Sequence, residues 1–197
     1  MRRIGITGGI GSGKSVVSRL LRIMGYSVYD TDSEAKRLME SSLEVVQKLS
    51  ECFGRDIYHN GRLNRGLLSS RVFGKSDKIV LLNSIVHPVV RFDFYRWSES
   101  LNEEICFVES AILYEAGFQD TVDAVIMVYA PVELRIQRAM YRDGASEEQV
   151  RARIAAQMDD EEKRRRADFT VVNDGVQLLI PQLNRIVEQL KTEKFIL

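Results

Sequence analysis

Short apolar runs alternate with segments of helical periodicity along most of this chain. Five of these runs predict buried strands, at residues 3–7, 26–29, 105–108, 124–129 and 168–172. In most of the intervening segments, apolar residues recur every three or four positions, which predicts amphipathic helices. Strands that alternate with helices indicate an α/β fold built on a five-stranded parallel sheet wrapped by helices.

One helical segment is much longer than a connection between two strands requires. From Ser33 to about Ser100 the pattern is helical, interrupted by turn residues at Phe53-Gly54 and 59–62. Pro88 predicts the start of a new helix within this segment. We therefore expect an all-helical insertion that covers a second substrate.

Composition narrows the class of protein. The chain has 197 residues, with 28 Lys and Arg balanced by 28 Asp and Glu, so bulk charge indicates no nucleic-acid partner. Cys52 and Cys106 lack metal-ligand spacing, and we expect two buried thiols in a reducing cytoplasm. No apolar run has membrane-spanning length, so we expect no membrane partner. No segment has the pattern of a dimer interface, and we expect a monomer.

The stretch with the clearest chemistry follows the first predicted strand. Residues 8–15, GGIGSGKS, match the P-loop pattern G-x-x-x-x-G-K-[ST]. Glycines let the backbone turn its N–H groups around an anion, and the following helix N-terminus favours negative charge. Lys14 would reach the β- and γ-phosphates of ATP, and Ser15 would ligate Mg²⁺. The predicted nucleotide-binding residues here are Gly9, Gly11, Ser12, Gly13, Lys14, Ser15 and Val16.

Two aspartates follow the second predicted strand. Asp30 and Asp32 stand where ligands bind in an open parallel sheet, at the carboxyl end of a strand. Strand periodicity would place both on one side, which favours a catalytic carboxylate beside the P-loop. Thr31 and Glu34 also fit a capping box, in which case the aspartates would only favour a helix N-terminus. The spacing leaves both interpretations open.

Charged residues are concentrated in two later segments. Arg135, Arg138 and Arg142 share one face of the helix after residues 124–129, either as a phosphate clamp or as a solvated face. Residues 159–166, DDEEKRRR, place an acid four positions before each base. Such pairs predict a solvated helix whose charges pair with one another rather than with nucleic acid.

These features favour a small-molecule kinase among P-loop proteins. The chain has no Asn-Lys-x-Asp signature of guanine recognition, and no apolar strand ends in the Asp that holds Mg²⁺ in many ATPases. Asp32 is then the best second carboxylate near the metal. Two alternatives stay open: a kinase acting on a nucleoside or nucleotide, and a nucleotide-dependent switch without transfer activity.

The chain resembles the dephospho-CoA kinase family over almost its full length. The resemblance rests on Ile4–Ser15, on Asp30-Thr31-Asp32, and on further motifs at 61–65, 82–88, 137–143, 156–157 and 167–173. It is weaker at 111–115, Ala-Ile-Leu-Tyr-Glu, where Ala111 stands in place of the family's proline. The P-loop is common to many families, whereas the combination of these motifs is specific.

The resemblance implies the last step of coenzyme A synthesis, in which ATP phosphorylates the ribose 3′-hydroxyl of dephospho-CoA. It implies a P-loop NTPase three-layer sandwich with a core at 1–31, 101–142 and 167–197, an acceptor-binding insertion at 32–100 and a helical lid at 143–166. Asp32 would be the base, and Lys14, Arg138 and Arg142 would neutralise phosphate charge. Asn173 would lie near the adenine, and Arg65 and His87 would bind the acceptor.

Overall fold

A computed structural model of the chain describes residues 1–192. These residues form two compact units, one made of Met1–Tyr29 with residues 102–192 and the other of Asp30–Leu101. The last part of the predicted core, 193–197, lies outside the described residues. The functional division of the chain into core, acceptor insertion and lid stays a prediction.

The described residues contain seven strands and nine α-helices. The strands are β1 (Arg2–Thr7), β2 (Val28–Asp30), β3 (Tyr58–His59), β4 (Arg62–Leu63), β5 (Ile105–Glu109), β6 (Ala124–Tyr129) and β7 (Phe169–Val172). The helices are α1 (Lys14–Ile23), α2 (Thr31–Ser41), α3 (Leu43–Phe53), α4 (Arg65–Val72), α5 (Ser76–Glu99), α6 (Val132–Asp143), α7 (Glu147–Ala155), α8 (Asp160–Arg166) and α9 (Leu179–Thr192).

The first unit is built on a five-stranded sheet in the order β2-β5-β1-β6-β7. In the parallel register, Ile4 of β1 pairs with Phe107 on one side and with Ala124 on the other. The predicted α/β class and the five predicted strands are confirmed. Since β1 is central, the loop that follows it emerges at the carboxyl edge of the sheet, where such folds bind ligands.

The core of this unit packs two helices against the sheet. The short apolar run that predicted β1 buries Ile4 and Ile6, and the helical periodicity of α1 buries Val17 and Leu21. The last helix contributes four more buried residues to the same cluster: Leu183, Ile186, Val187 and Leu190. The P-loop is therefore flanked by a buried strand and a helix that is packed along its apolar face.

The second unit is mostly helical, but the expectation that it is all-helical is wrong. Tyr58–His59 and Arg62–Leu63 pair as a short antiparallel hairpin. Its two-residue loop is Asn60-Gly61, both with positive φ, of 49° and 75°. Asn-Gly at this place is the typical signal of a tight hairpin turn, because both central residues need positive φ. The turn residues were present in the sequence, but the two short strands beside them carry almost no pattern.

The prediction that Pro88 begins a helix is also wrong. Helix α5 runs without a break from Ser76 to Glu99 and contains Pro88 in its interior. An internal proline removes a helical hydrogen bond and costs about 3 kcal/mol. Residues on both sides of Pro88 are buried along the helix, namely Ile85, Val86, Val90 and Phe94. This burial offsets the local cost, which is why tertiary packing overrides the proline signal.

The two cysteines lie in different environments. Cys106 is buried in β5, as expected, and burial raises the pKa of its thiol to about 11. Cys52 is exposed on α3, so the expectation of a second buried thiol is wrong. None of the helices within residues 1–192 is long and apolar enough to cross a membrane.

Candidate active site

The P-loop joins β1 to α1 through residues 8–13. Gly8, Gly11 and Gly13 have φ values of 153°, 77° and 93°, a range that side-chain-bearing residues rarely adopt. A Cβ at Gly8 would stand 2.4 Å from the Val128 carbonyl oxygen of the neighbouring strand. Since Gly13 caps α1 without a side chain, the first N–H groups of that helix are presented to the loop. The segment has the form of an anion cradle.

The polar side chains of the P-loop and of the first turn of α1 suit a phosphate ligand. Lys14 Nζ donates hydrogen bonds to the carbonyl oxygens of Gly8 (2.8 Å) and Gly9 (3.3 Å), which holds the ammonium against the loop. Ser12 is 1% exposed, and its hydroxyl has no hydrogen-bond partner among the described residues. Ser15 is exposed in the first turn of α1, next to Val16, which is 48% exposed. A cation, helix N–H groups and two hydroxyls are thus gathered on one segment.

Asn173 connects the end of β7 to the P-loop. Its side-chain Nδ2 donates to the Ser12 carbonyl oxygen (2.8 Å), and its own carbonyl oxygen accepts from Arg138 Nη1 (2.9 Å). A Cβ at Gly13 would stand 2.0 Å from Asn173 Nδ2, so this contact leaves no room for a side chain. The structure therefore brings Asn173, Arg138 and the P-loop together, three features that lie far apart in the sequence.

The three arginines of α6 are in three different environments. Arg135 is 3% exposed and forms a buried ion pair with Asp160. Arg138 is half-buried and donates to the Asn173 carbonyl oxygen. The Arg142 side chain is 60% exposed and forms an ion pair with Asp143 at 2.7 Å. The Arg142 guanidinium, followed by that of Arg153, holds the pKa of Asp143 below its usual range. Neither a uniform clamp nor a uniformly solvated face describes this helix.

The prediction of a self-paired, solvated helix at 159–166 is wrong in most of its pairs. Among the described side chains, only Glu162 and Arg166 form one of the four expected i,i+4 pairs, at 2.6 Å. Asp159 instead caps α8 and accepts from the N–H groups of Glu161 (2.9 Å) and Glu162 (3.2 Å). Asp160 forms an ion pair with Arg135 of α6, and Lys163 is fully buried. Arg164 and Arg165 still pair within the helix, with Glu161 and Glu162 three positions earlier. Only Asp160 and Lys163 take distant partners, because a buried charge left unpaired costs more than a local surface pair contributes.

A cavity of about 460 Å³ lies in the first unit, beside the Arg135–Asp160 pair. Its lining includes apolar side chains of Val132, Ile154 and Met158. Sequence reasoning missed this cavity and missed Arg135 and Asp160 as partners. No spacing rule links a position in α6 to one 25 residues later, so only the fold could reveal the pair.

The second unit holds Asp32, which lies in the first turn of α2. The N-cap is Asp30, not Thr31 as the capping-box interpretation expects, and Asp30 Oδ1 accepts from the N–H groups of Asp32 (3.0 Å) and Ser33 (3.3 Å). The expectation that strand periodicity aligns the two aspartates is wrong, because Asp32 is helical. Asp30 does the capping, and the exposed Asp32 carboxylate has no hydrogen-bond or ion-pair partner among the described residues.

Arg65 and His87 also lie in the second unit. Arg65 begins α4, is about half exposed, and forms an ion pair with Glu40 at 3.2 Å. His87 lies in α5, where burial, followed by the positive charge of Arg91, lowers the pKa of its imidazole. The predicted acceptor residues are therefore gathered in one unit with Asp32, while the predicted phosphate-binding residues are all in the other.

Comparisons with known proteins agree with the resemblance of the motifs. The family model for dephospho-CoA kinase matches residues 2–178. A Bacteroides fragilis protein named dephospho-CoA kinase is 47% identical over 186 residues, which cover 94% of this chain and 91% of that protein.

Solved structures give the same result. A Thermus thermophilus crystal structure superposes with a TM-score of 0.84 at 37% identity and covers 98% of each chain. A dephospho-CoA kinase structure from Campylobacter jejuni has a TM-score of 0.70 at 25% identity, covering 95% of this chain and 96% of the other. Fold and sequence thus point to one family.

Proposed function

Because this chain belongs to the dephospho-CoA kinase family, we propose that it transfers the γ-phosphoryl group of ATP to the ribose 3′-hydroxyl of dephospho-CoA. The products are coenzyme A and ADP, so the reaction completes coenzyme A synthesis. The observation that carries the proposal is the family match over residues 2–178, joined to an intact P-loop cradle. Phosphoryl transfer depends mainly on positioning and on neutralising charge, which these residues supply.

Lys14 and the loop N–H groups hold the β- and γ-phosphates in this proposal. The Lys14 ammonium already lies against the loop carbonyls, within reach of an anion seated in the cradle. Preorganised donors stabilise the charge that develops in the transition state without a cost of reorganisation. Gly9, Gly11, Ser12, Gly13 and Val16 supply the backbone of this cradle.

Mg²⁺ accompanies ATP in the proposed reaction, with Ser15 as its protein ligand. No group of three or more His, Cys, Asp or Glu side chains in the described part of the chain could hold a metal ion by itself. The exposed hydroxyl of Ser15 suits a Mg²⁺ that takes its other ligands from nucleotide phosphates and water, as this ion commonly does. When bound, the ion would neutralise part of the phosphate charge.

Asp32 orients the acceptor hydroxyl and accepts its proton in this proposal. The support is that Asp30 supplies the helix cap, which leaves the Asp32 carboxylate available to a substrate. A ribose hydroxyl is a weak acid, so the proton moves late, and a positioned carboxylate contributes about 10²- to 10⁴-fold.

Arg138, Arg142 and Asn173 complete the proposed nucleotide site. The role of Arg142 is supported by the exposure of its guanidinium, which now pairs with the adjacent residue Asp143. A phosphate could replace this carboxylate as its partner. Arg138 and Asn173 are supported by their mutual bond beside Ser12. Residues 143–166 would act as the lid over this site.

The unit Asp30–Leu101 binds dephospho-CoA in this proposal, with Arg65 and His87 as contacts. The role of Arg65 is supported by an exposed guanidinium suited to phosphate, which one carboxylate holds in the described part of the chain, that of Glu40. His87 is supported by a lowered pKa, which keeps its imidazole neutral and able to accept a hydrogen bond near neutral pH.

The proposal is tested by measuring ADP release with ATP, Mg²⁺ and a panel of acceptors: dephospho-CoA, coenzyme A, adenosine and other nucleosides. Turnover restricted to dephospho-CoA is the expected result, and the product should carry a 3′-phosphate by mass and phosphatase analysis. Turnover with a nucleoside but not with dephospho-CoA would show that the protein is a kinase with a different acceptor. ATP binding without transfer to any acceptor would instead favour a nucleotide-dependent switch.

We also propose that the protein works as a cytoplasmic monomer without nucleic-acid partners. The balance of 28 Lys and Arg against 28 Asp and Glu supports the absence of a nucleic-acid partner. Light scattering at working concentration should give a mass near 22.5 kDa. A mass of twice that value would contradict the monomer.

A further inference from the structure

The crest of the P-loop, residues 9–11, is held by side chains from outside the loop. Arg135 Nε, from α6, donates to the Ile10 carbonyl oxygen at 2.9 Å. Gln157 Oε1, from the segment after α7, accepts from the Ile10 N–H at 3.0 Å. Both backbone polar groups of Ile10 are therefore bonded to residues more than 120 positions away. We call Arg135, Gln157 and Asp160 the crest clamp.

The charge at the centre of the crest clamp is buried. Arg135 has a 3% exposed side chain and is paired with Asp160, which is 17% exposed. Burial lowers the pKa of the Arg135 guanidinium, although tyrosine and aspartate neighbours oppose the shift. Replacing a buried ion pair by apolar residues is often neutral or stabilising for a fold. The pair therefore calls for an explanation other than stability.

The glycines of the crest are matched to Arg135. A Cβ at Gly9 would stand 2.1 Å from Arg135 Nη2, and one at Gly11 would stand 2.2 Å from the Arg135 carbonyl oxygen. Gly11 also has positive φ, but Gly9 does not. Gly9 is thus explained by the close approach of the guanidinium rather than by backbone conformation. The loop and the clamp fit each other at contact distance.

We infer that Arg135, Gln157 and Asp160 are positioning residues, which fix the backbone of the P-loop crest and so hold the loop in the shape that receives the ATP phosphates. Neither Gln157 nor Asp160 belongs to the loop or to α6, so the segment around α8 sets the geometry of the phosphate site. Misplacement of a positioned group by 1 Å can cost about 10²-fold in rate. The inference rests on the proposed kinase reaction for its effect on turnover, but its effect on ATP affinity is independent of the acceptor.

The central test compares Arg135→Met with the double variant Arg135→Met/Asp160→Leu. The single variant leaves Asp160 uncompensated, so both its melting temperature and its ATP affinity should fall. The double variant removes both charges and should regain thermal stability, because it replaces the pair with apolar side chains. Neither variant restores the hydrogen bond to Ile10, so both should keep an ATP Kd raised about tenfold or more, with reduced kcat.

Gln157→Met supplies a variant that changes no charge. It removes only the acceptor for the Ile10 N–H, and we expect a Kd for ATP raised about threefold to tenfold with unchanged melting temperature. Arg185→Met is the matched control, since Arg185 is an exposed arginine of α9, outside the proposed nucleotide site and lid. It should bind ATP and turn over as the unmodified enzyme does.

Calorimetric titration with ATP and Mg²⁺, without acceptor, measures the effect of each clamp variant on the Kd for ATP. The ADP-release assay measures its effect on turnover. A double variant that regains both stability and full ATP affinity would show that the pair is only structural, and the inference would fail. ATP affinity that is unchanged in all clamp variants would overturn it as well. An unmodified protein that binds ATP but transfers nothing to dephospho-CoA would refute the proposed function and leave the titrations as the test of the clamp.

Discussion

Lys163 Nζ lies 3.0 Å from a carboxylate oxygen of Glu115, and the Lys163 side chain is fully buried. The same ammonium donates to the Ala111 carbonyl oxygen at 2.9 Å, and Glu115 also accepts from the Met158 N–H at 2.9 Å. One ion pair thus attaches both α8 and the segment before it to the loop that follows β5. This loop is the place where Ala111 stands in the position of the family's proline.

Breaking this pair should destabilise the protein. Lys163→Met leaves the Glu115 carboxylate without its cation, and loss of one partner of a buried pair costs about 3–5 kcal/mol. Because Glu115 is 26% exposed, we expect a value at the low end, seen as a melting midpoint lower by about 6–12 °C. Differential scanning calorimetry measures this, with the exposed Arg151→Met as a control expected within about 0.5 kcal/mol. Equal midpoints for the two variants would refute the anchoring role.

Asp32→Asn should abolish most turnover and preserve ATP binding. The amide cannot accept the proton of the ribose hydroxyl, so kcat should fall by about 10²-fold or more. Asp30→Asn is the matched control, since asparagine also caps helices well and keeps the bonds to the first turn of α2. Its loss of kcat should be far smaller. Equal losses in the two variants would remove the catalytic role of Asp32.

Lys14→Ala should affect both binding and chemistry. It removes the ammonium held by the Gly8 and Gly9 carbonyls, so the β/γ-phosphate charge loses its nearest cation. We expect kcat to fall by about 10²- to 10³-fold, with a higher Kd for ATP in calorimetry. Lys48→Ala, at an exposed lysine paired with Glu44, should change neither quantity. Unchanged ATP affinity in Lys14→Ala would argue against the phosphate contact.

Arg142→Ala should lower kcat by about 10²-fold or more with little change in the KM for dephospho-CoA. The guanidinium, 60% exposed, is available to phosphate once it leaves Asp143. Arg153→Ala is the control, because it removes the second arginine on Asp143 and leaves Arg142 intact. A raised acceptor KM with normal kcat would place Arg142 in the acceptor site instead.

His87 should make stability depend on pH. Its pKa is lowered by burial in the folded state, so below the ordinary value of about 6.5 the unfolded chain binds more protons than the folded one. The free energy of unfolding should therefore fall as pH decreases from about 7 through this value. Urea unfolding at about pH 7.5 and 5.5 measures the slope, which His87→Gln should flatten. His59→Gln, in the exposed hairpin, should retain it.

The sequence by itself determined the family, the five parallel strands and the anion cradle. Each depends on local physics: short apolar runs for buried strands, positive φ for Gly11 and Gly13, and the N–H groups of the helix that begins at Lys14. Such features depend on only a few neighbouring residues, so the pattern along the chain predicts them. The functional roles of Asp32, Arg138, Arg142 and Asn173 stay predictions that the experiments above test.

Only the tertiary structure decided how the charges pair. Local rules assigned Asp160 to Arg164 and Lys163 to Asp159, but the fold gives them Arg135 and Glu115. The same competition lets α5 continue through Pro88, because residues on both sides of it are buried. A neighbour four residues away offers a few tenths of a kcal/mol, whereas a buried charge without a partner costs several. Where burial is at stake the distant partner prevails, and its identity is set by the fold.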